Sequence, residues 1–194
     1  MGTRLLFLVR HGHYVTDEKQ RQHGQLTVLG QRQARCTGKR LAKLESSIKP
    51  QAIYHSDMPR AVETAEIIAG NLGQLPKQSV RALREMLPPF PKRPDQKPRP
   101  RKELAEVRAV TARLTKKFLT APKGKKCRVD LVVAHGNLIR YLVRLAMGDT
   151  ATDWWKMGTS NCGVTLLSIR SEGSNYLIHY NDVGHLPMSM QTTM

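Results

Sequence analysis

Apolar positions along the chain alternate between short continuous runs and stripes at helical spacing. Arg4 to Val9 is a nearly unbroken apolar run, and Val129 to Ala134 is a second. Runs of this kind suit strands buried on both faces of a parallel sheet. Both lead directly into a histidine, His11 and His135. Thr27 is expected to cap a helix reaching about Leu44, with Ala34, Gly38, Leu41 and Ala42 on its inner face. Ala52 to His55 reads as a brief strand. Ser56 or Asp57 is expected to cap the next helix, which tolerates Pro59 in its first turn and carries Ala61, Ala65, Ile68 and Leu72 at helical spacing.

A short strand around Val80 leads to Leu83-Arg84-Glu85. Residues 86 to 101 hold six of the eleven prolines and read as an irregular loop. Beyond it, Leu104, Val107, Thr111, Leu114 and Phe118 mark one helix. Leu138, Tyr141, Leu142 and Leu145 mark another. Gly163 to Ile169 and Tyr176 to Tyr180, joined at Ser171-Glu172-Gly173-Ser174, predict a hairpin at the sheet edge. Strands alternating with helices predict a three-layer α/β/α fold. Its central sheet is mostly parallel, with a C-terminal edge hairpin. The 194 residues fit one domain, residues 1–194.

Composition narrows the picture. Hydrophobic content of 40% is ordinary for a globular protein, and no apolar run approaches membrane-spanning length. Leu5 to Val9 is too short for the apolar core of a signal peptide. The sequence alone leaves open a targeting or anchoring segment upstream. Three widely spaced cysteines, Cys36, Cys127 and Cys162, read as free thiols in a reducing, intracellular compartment, cytoplasmic or mitochondrial. A net charge of +17 predicts attraction to phosphorylated or otherwise anionic partners. No ribonucleoprotein aromatic motif, zinc finger or basic zipper points to specific nucleic-acid binding. The close pair His11 and His13 is not read as a metal site, and no cofactor or metal is expected.

In parallel α/β sheets, binding sites form outside the carboxyl ends of the strands. Arg10-His11-Gly12 and His135-Gly136-Asn137 both emerge there, with Arg60 and Glu85 on neighbouring segments. This set suits phosphoryl transfer, in which catalysis is mostly positioning and charge stabilisation. Arginine presents a planar fork to phosphate oxygens. A neutral imidazole can form a covalent phospho-enzyme, and a carboxylic acid can protonate a leaving alkoxide.

The motifs that carry these residues resemble those of the histidine phosphatase superfamily, the phosphoglycerate mutase-like proteins. Leu8-Val9-Arg10-His11-Gly12 is similar to its signature, and Leu26 to Ala34 to the start of its first helix. Ser56 to Thr64, with Arg60, Leu83-Arg84-Glu85 and Ala134-His135-Gly136-Asn137 follow in the family's order. The resemblance implies His11 as the phosphorylated nucleophile, Glu85 as acid and base, and Arg10, Arg60, His135 and Gly136 around the phosphoryl group. Within the superfamily, Tyr14, Asn137 to Tyr141 and the tail from Trp155 to Pro187 resemble the branch of mitochondrial serine/threonine-protein phosphatases. That branch carries an N-terminal membrane anchor and an oligomerising segment, so a homo-oligomer is one expectation. His13-Tyr14-Val15-Thr16-Asp17 and Met86-Leu87-Pro88 depart from the substrate contacts of true mutases.

The expected activity is therefore a metal-independent phosphomonoesterase acting on a phosphorylated protein or a small phosphomonoester. The rival from another class is a basic binding module that keeps the fold as a scaffold. Residues 92 to 102, with six cations and one acid, read equally as a solvated loop or as a recruitment strip for an anionic surface.

Overall fold

The computed structural model describes residues 1–21, 23–88, 99–148 and 154–193. Six strands form one sheet: β1 (Thr3–Arg10), β2 (Ala52–His55), β3 (Lys77–Ser79), β4 (Cys127–Ala134), β5 (Val164–Arg170) and β6 (Tyr176–Asp182). Their order is β3-β2-β4-β1-β5-β6. The first four run parallel, while β5 pairs antiparallel with both β1 and β6. The edge hairpin is as expected. The helices are α1 (Val28–Ala42), α2 (Pro59–Asn71), α3 (Arg101–Phe118) and α4 (Gly136–Ala146).

The apolar runs are continuous because both sheet faces are covered. Successive residues of β1 point to opposite sides. Leu6 and Leu8 join Leu114, Phe118, Leu138 and Leu142 from α3 and α4. Phe7 and Val9 join Leu41, Ala61, Ala65 and Ile68 from α1 and α2. Strand β4 divides in the same way, with Val132 and Ala134 on the first side and Leu131 and Val133 on the second.

Register decides where the site lies. Arg10 pairs with Ala134 and His55 with Val133, so β1, β4 and β2 end at one level. The His11 N–H then donates to the Ala134 carbonyl at 3.0 Å, and the Ser56 N–H to the Val133 carbonyl at 3.0 Å. On the other side of β1, the turn before β5 closes on the strand end. The Cys162 N–H donates to the Arg10 carbonyl at 3.0 Å.

Some local expectations change. Thr27 caps α1 through its side chain, which accepts from Gly30 N–H. The buried stripe of that helix includes the polar Gln33 and Thr37, and Ala42 is only half-buried. The cap of α2 is Met58, which makes no side-chain cap hydrogen bond. Asp57 instead holds Arg84 through two hydrogen bonds of 2.6 and 2.8 Å. Of the proline-rich loop, residues 89–98 lie outside the described residues. Leu145 is half-buried, and Val143 and Ala146 complete the inner face of α4.

Gly12 and Gly30 bring the exit of β1 against the first turn of α1. A Cβ on Gly30 would sit 2.0 Å from the His13 carbonyl oxygen, and one on Gly12 2.7 Å from the Gly30 carbonyl oxygen. Backbone, not a flexible side chain, stands in the way. Gly30→Ala is therefore expected to destabilise the fold by about 1–3 kcal/mol, read as a Tm lower by several degrees. Gly70→Ala, where a Cβ would meet nothing within 4 Å, is the control and should not lower Tm. Equal melting of Gly30→Ala and the parent protein would show that the two segments separate freely.

Candidate active site

His11 is buried at the end of β1. Its Nδ1 lies 2.9 Å from the Gly12 carbonyl oxygen. A carbonyl only accepts, so Nδ1 carries the proton and Nε2 the lone pair. Arg60 confirms this tautomer, because its Nε donates to His11 Nε2 at 3.1 Å. The same guanidinium donates from Nη2 to His135 Nδ1 at 3.3 Å. The proton of His135 therefore sits on Nε2, which donates to Ser56 Oγ at 2.9 Å. Both imidazoles are neutral and oriented, with ring centroids 5.0 Å apart.

Charge and burial keep them neutral. Burial pushes the His11 pKa well below its ordinary value, and His135, Arg60 and Arg10 push it the same way against the Gly12 hydrogen bond. Burial, then Arg60 and Arg10, lowers His135 to about 3. The pKa values of the two arginines are lowered by burial and raised by Glu85. A guanidinium remains charged in proteins.

Arg10 sits on the other flank of His11. Its Nη1 donates to the Thr159 carbonyl at 2.6 Å. Gly136 leaves the room: a Cβ there would lie 2.7 Å from Thr159 Oγ1 and 3.6 Å from Arg10 Nε. The glycine thus admits Thr159 and Arg10 beside the first turn of α4. Asn137 accepts from Arg140 at 2.8 Å through its side chain, so that side chain does not cap α4.

Glu85 is placed by a single turn of 3₁₀ helix, Arg81–Leu83, anchored by the fully buried Leu83. Arg84 then turns outward to Asp57. The Glu85 Oε1 accepts from the Leu138 N–H at 3.3 Å, at the N-terminus of α4. Its side chain reaches solvent at the rim, while the protein packed around the carboxyl raises its pKa; hydrogen bonds from Leu138, Asn137 and Met86 N–H limit the rise. A carboxyl so balanced can give up a proton and take one back.

Several residues that sequence reasoning did not assign a role hold this cluster. Asn161 Nδ2 donates to the His11 carbonyl at 3.0 Å. Its Oδ1 accepts from Thr192, whose hydroxyl also accepts from Gln33. Gln33 in turn accepts from the His13 N–H at 2.8 Å. Thr64 accepts from the Gly12 N–H at 3.0 Å and donates to the Arg60 carbonyl at 2.6 Å. The polar run Thr159-Ser160-Asn161 ahead of an apolar strand is a sequence signal for part of this network, and the structure buries it. His13 does not join His11, and its Nδ1 contacts Thr27 Oγ1 at 3.0 Å. Among the described residues no group of three or more His, Cys, Asp or Glu could hold a metal ion.

The sequence matches the histidine phosphatase superfamily (branch 1) over residues 6–88 and 87–183. The chain belongs to that superfamily. Mitochondrial serine/threonine-protein phosphatase Pgam5 of Caenorhabditis briggsae is 38% identical over 192 residues, 95% of this chain and 65% of that protein. Its Homo sapiens counterpart is 34% identical over 191 residues, 96% of this chain and again 65% of the relative. The chain thus spans about 65% of the length of these relatives. Among solved structures, the phosphoglycerate mutase of Plasmodium falciparum matches with a TM-score of 0.69 and 29% identity, covering 97% of this chain and 96% of that one. A mycobacterial glucosyl-3-phosphoglycerate phosphatase shares the fold with a TM-score of 0.64 at 24% identity, covering 92% of this chain and 99% of that one.

Neutral buried histidines make stability depend on pH. In the unfolded chain these imidazoles titrate near 6.5, whereas burial and cations push folded His135 down to about 3 and His11 well below its ordinary value, and half-buried His185, beside Thr37 and Arg40, is pushed down to about 4. Below about pH 6.5 the unfolded state binds more protons, so stability falls as pH drops toward about 4. Urea unfolding at about pH 7 and about pH 5 should show this loss, with a shallower loss for His135→Asn. Equal stability at both values would contradict the neutral, buried assignment.

Proposed function

We propose that His11, Arg10, Arg60, His135, Gly136 and Glu85 form the active site of a phosphomonoesterase that works through phosphohistidine, and that phosphoserine or phosphothreonine in proteins is the substrate class. The observation that carries this reading is the His11 Nε2 lone pair, held neutral 3.1 Å from a charged guanidinium. A neutral nitrogen nucleophile beside a fixed cation fits attack on an anionic phosphoryl group.

The chemistry follows from the tautomers. As substrate enters, Arg60 N–H leaves the His11 nitrogen for a phosphoryl oxygen, which frees Nε2. His11 Nε2 bonds to phosphorus as the ester P–O bond breaks, and protonated Glu85 gives its proton to the leaving alkoxide. The phosphoimidazole carries positive charge, which its Nδ1–H shares with the Gly12 carbonyl. Ionised Glu85 then takes a proton from water as that oxygen attacks phosphorus. The P–N bond breaks, and neutral His11 returns. Arg10 and Arg60 hold the non-bridging oxygens throughout, and His135 joins them once its proton shifts from Nε2 to Nδ1, with Ser56 Oγ–H then donating to Nε2. The charge stabilisation comes from these side chains and requires no metal.

A protein substrate is supported by the relatives named serine/threonine-protein phosphatases, and a mitochondrial location by the same names. Water as acceptor, not a second phosphoglycerate, is supported by the departures after Gly12. Asp17 occupies an exposed turn, where it accepts from Lys19 N–H and the Gln20 side chain. Of the basic strip, Lys92, Arg93 and Lys97 lie outside the described residues. Arg99 donates to the Leu87 carbonyl at 3.0 Å, two residues from Glu85. That tether supports a cationic rim that draws anionic substrates or surfaces toward the site.

The test compares leaving groups. Glu85→Gln should slow phosphoenzyme formation from a phosphoserine peptide by roughly 10²–10⁴-fold. An aryl phosphate with an acidic phenol should lose much less, since it leaves without a proton. Equal losses in the burst phase would remove Glu85 from the role of acid. Phosphoglycerate interconversion outrunning phosphate release would replace the phosphatase reading with a mutase.

A further inference from the structure

One aromatic ring touches both halves of the nucleophile pair. The Arg60 Cζ lies 4.5 Å from the centroid of the Tyr14 ring, and the same ring meets His11 edge-on, with centroids 5.2 Å apart at 84°. We propose that Tyr14 is a positioning residue of this site, the platform on which the Arg60 guanidinium slides from the His11 nitrogen to a phosphoryl oxygen as substrate enters. This rests on the phosphatase reading above and adds to it the group that governs when the nucleophile is released.

The backbone holds the ring where such a platform must be. Tyr14 forms an isolated antiparallel bridge with Leu26. Val15 N–H donates to the Gln25 carbonyl and Gly24 N–H to the Val15 carbonyl, both at 2.9 Å. Leu26 is buried, and its N–H donates to Glu63 Oε2 at 3.1 Å. Glu63 stands on α2 three residues after Arg60. The helix that carries the arginine therefore also sets the position of the loop that carries the ring.

The physics of the contact suits a sliding cation. The hydrogen bonds of Arg60 to His11 and His135 lie along N–H directions and must be exchanged when a phosphoryl group arrives. Attraction between a guanidinium and a ring face holds for as long as the cation stays over the ring, within about 6 Å of its centroid. It can therefore persist while the in-plane hydrogen bonds change partners. The ring also keeps water from one face of the cation, which strengthens its hold on the incoming charge. Without the ring, the guanidinium would rotate out of plane and leave His11 Nε2 for solvent.

The experiment uses Tyr14→Phe and Tyr14→Leu, with Tyr14→Met in place of Leu if that variant does not fold. Phe keeps the ring face and should stay near the parent rate. Leu or Met should slow phosphoenzyme formation roughly tenfold, the scale of a partly desolvated cation–π contact, with substrate KM changing less. Two readouts are independent of turnover. Orthovanadate affinity should fall for Leu or Met and hold for Phe. The imidazole ¹⁵N titration of His11 should move up toward the ordinary histidine value in Leu or Met, because Arg60 no longer stays fixed beside it. Parent-like rates, vanadate affinity and titration in Leu or Met would overturn the proposal. So would a loss in Phe equal to that in Leu, which would assign the effect to the hydroxyl. If the parent protein forms no phosphohistidine, the phosphatase reading fails, while the ¹⁵N titration still decides whether Tyr14 positions Arg60 against His11.

Discussion

Arg60 spends its hydrogen bonds on two imidazoles inside the protein, and the arrangement around it is ordered by that fact. A buried guanidinium must keep its charge and find acceptors. It finds them on His11 Nε2 and His135 Nδ1, at 3.1 and 3.3 Å. Accepting from Arg60 requires each ring nitrogen to be unprotonated. The remaining protons are therefore sent to the Gly12 carbonyl and to Ser56 Oγ. Two tautomers and two ring orientations follow from one cation, which adds to burial in suppressing the basicity of both rings. An anionic group arriving between these rings would draw the Arg60 N–H groups away from the two ring nitrogens.

The fold meets this demand through strand register. Arg10 opposite Ala134 and His55 opposite Val133 bring the ends of β1, β4 and β2 to one level, so that consecutive backbone amides can lock them together. The approach of α1 is then fixed by the bare backbones of Gly12 and Gly30. Polar side chains finish the job where apolar packing would give no direction. Asn161, Thr192, Gln33 and Thr64 each bond to a backbone group of residues 11 to 13 or to another member of the set. The buried polar stripe of α1 is the consequence, since that face meets a site and not only a core.

Much of this was legible in the sequence. The apolar runs gave β1 and β4 because continuous burial leaves a continuous record, and Thr27 was found because an N-cap needs a side-chain acceptor at one position. His11, Arg60, His135 and Glu85 could be named because their motifs recur in a family order. The failures share a physical cause. Asp57 has the chemistry of a cap, but its partner, Arg84, is remote in sequence and the longer-range bond won, while Ser56 Oγ serves both Met58 N–H and the remote His135. Ala42 fits the helical period as well as Thr37 does, and only the position of His185 and Cys162 makes Thr37 the buried one. Tyr14 and Asn161 lie in segments that resemble the family, but their contacts show only when Arg60 and His11 are brought beside them.

The central claim is that His11 itself carries the phosphoryl group. Rapid quenching of the enzyme with a ³²P-labelled phosphoserine peptide, followed by peptide mapping, tests it directly. The account predicts an acid-labile, base-stable phosphate on the peptide that contains His11, formed within the burst and absent from His11→Ala. Turnover of the phosphopeptide without any such species, or label on a serine, threonine or carboxylate, would contradict it.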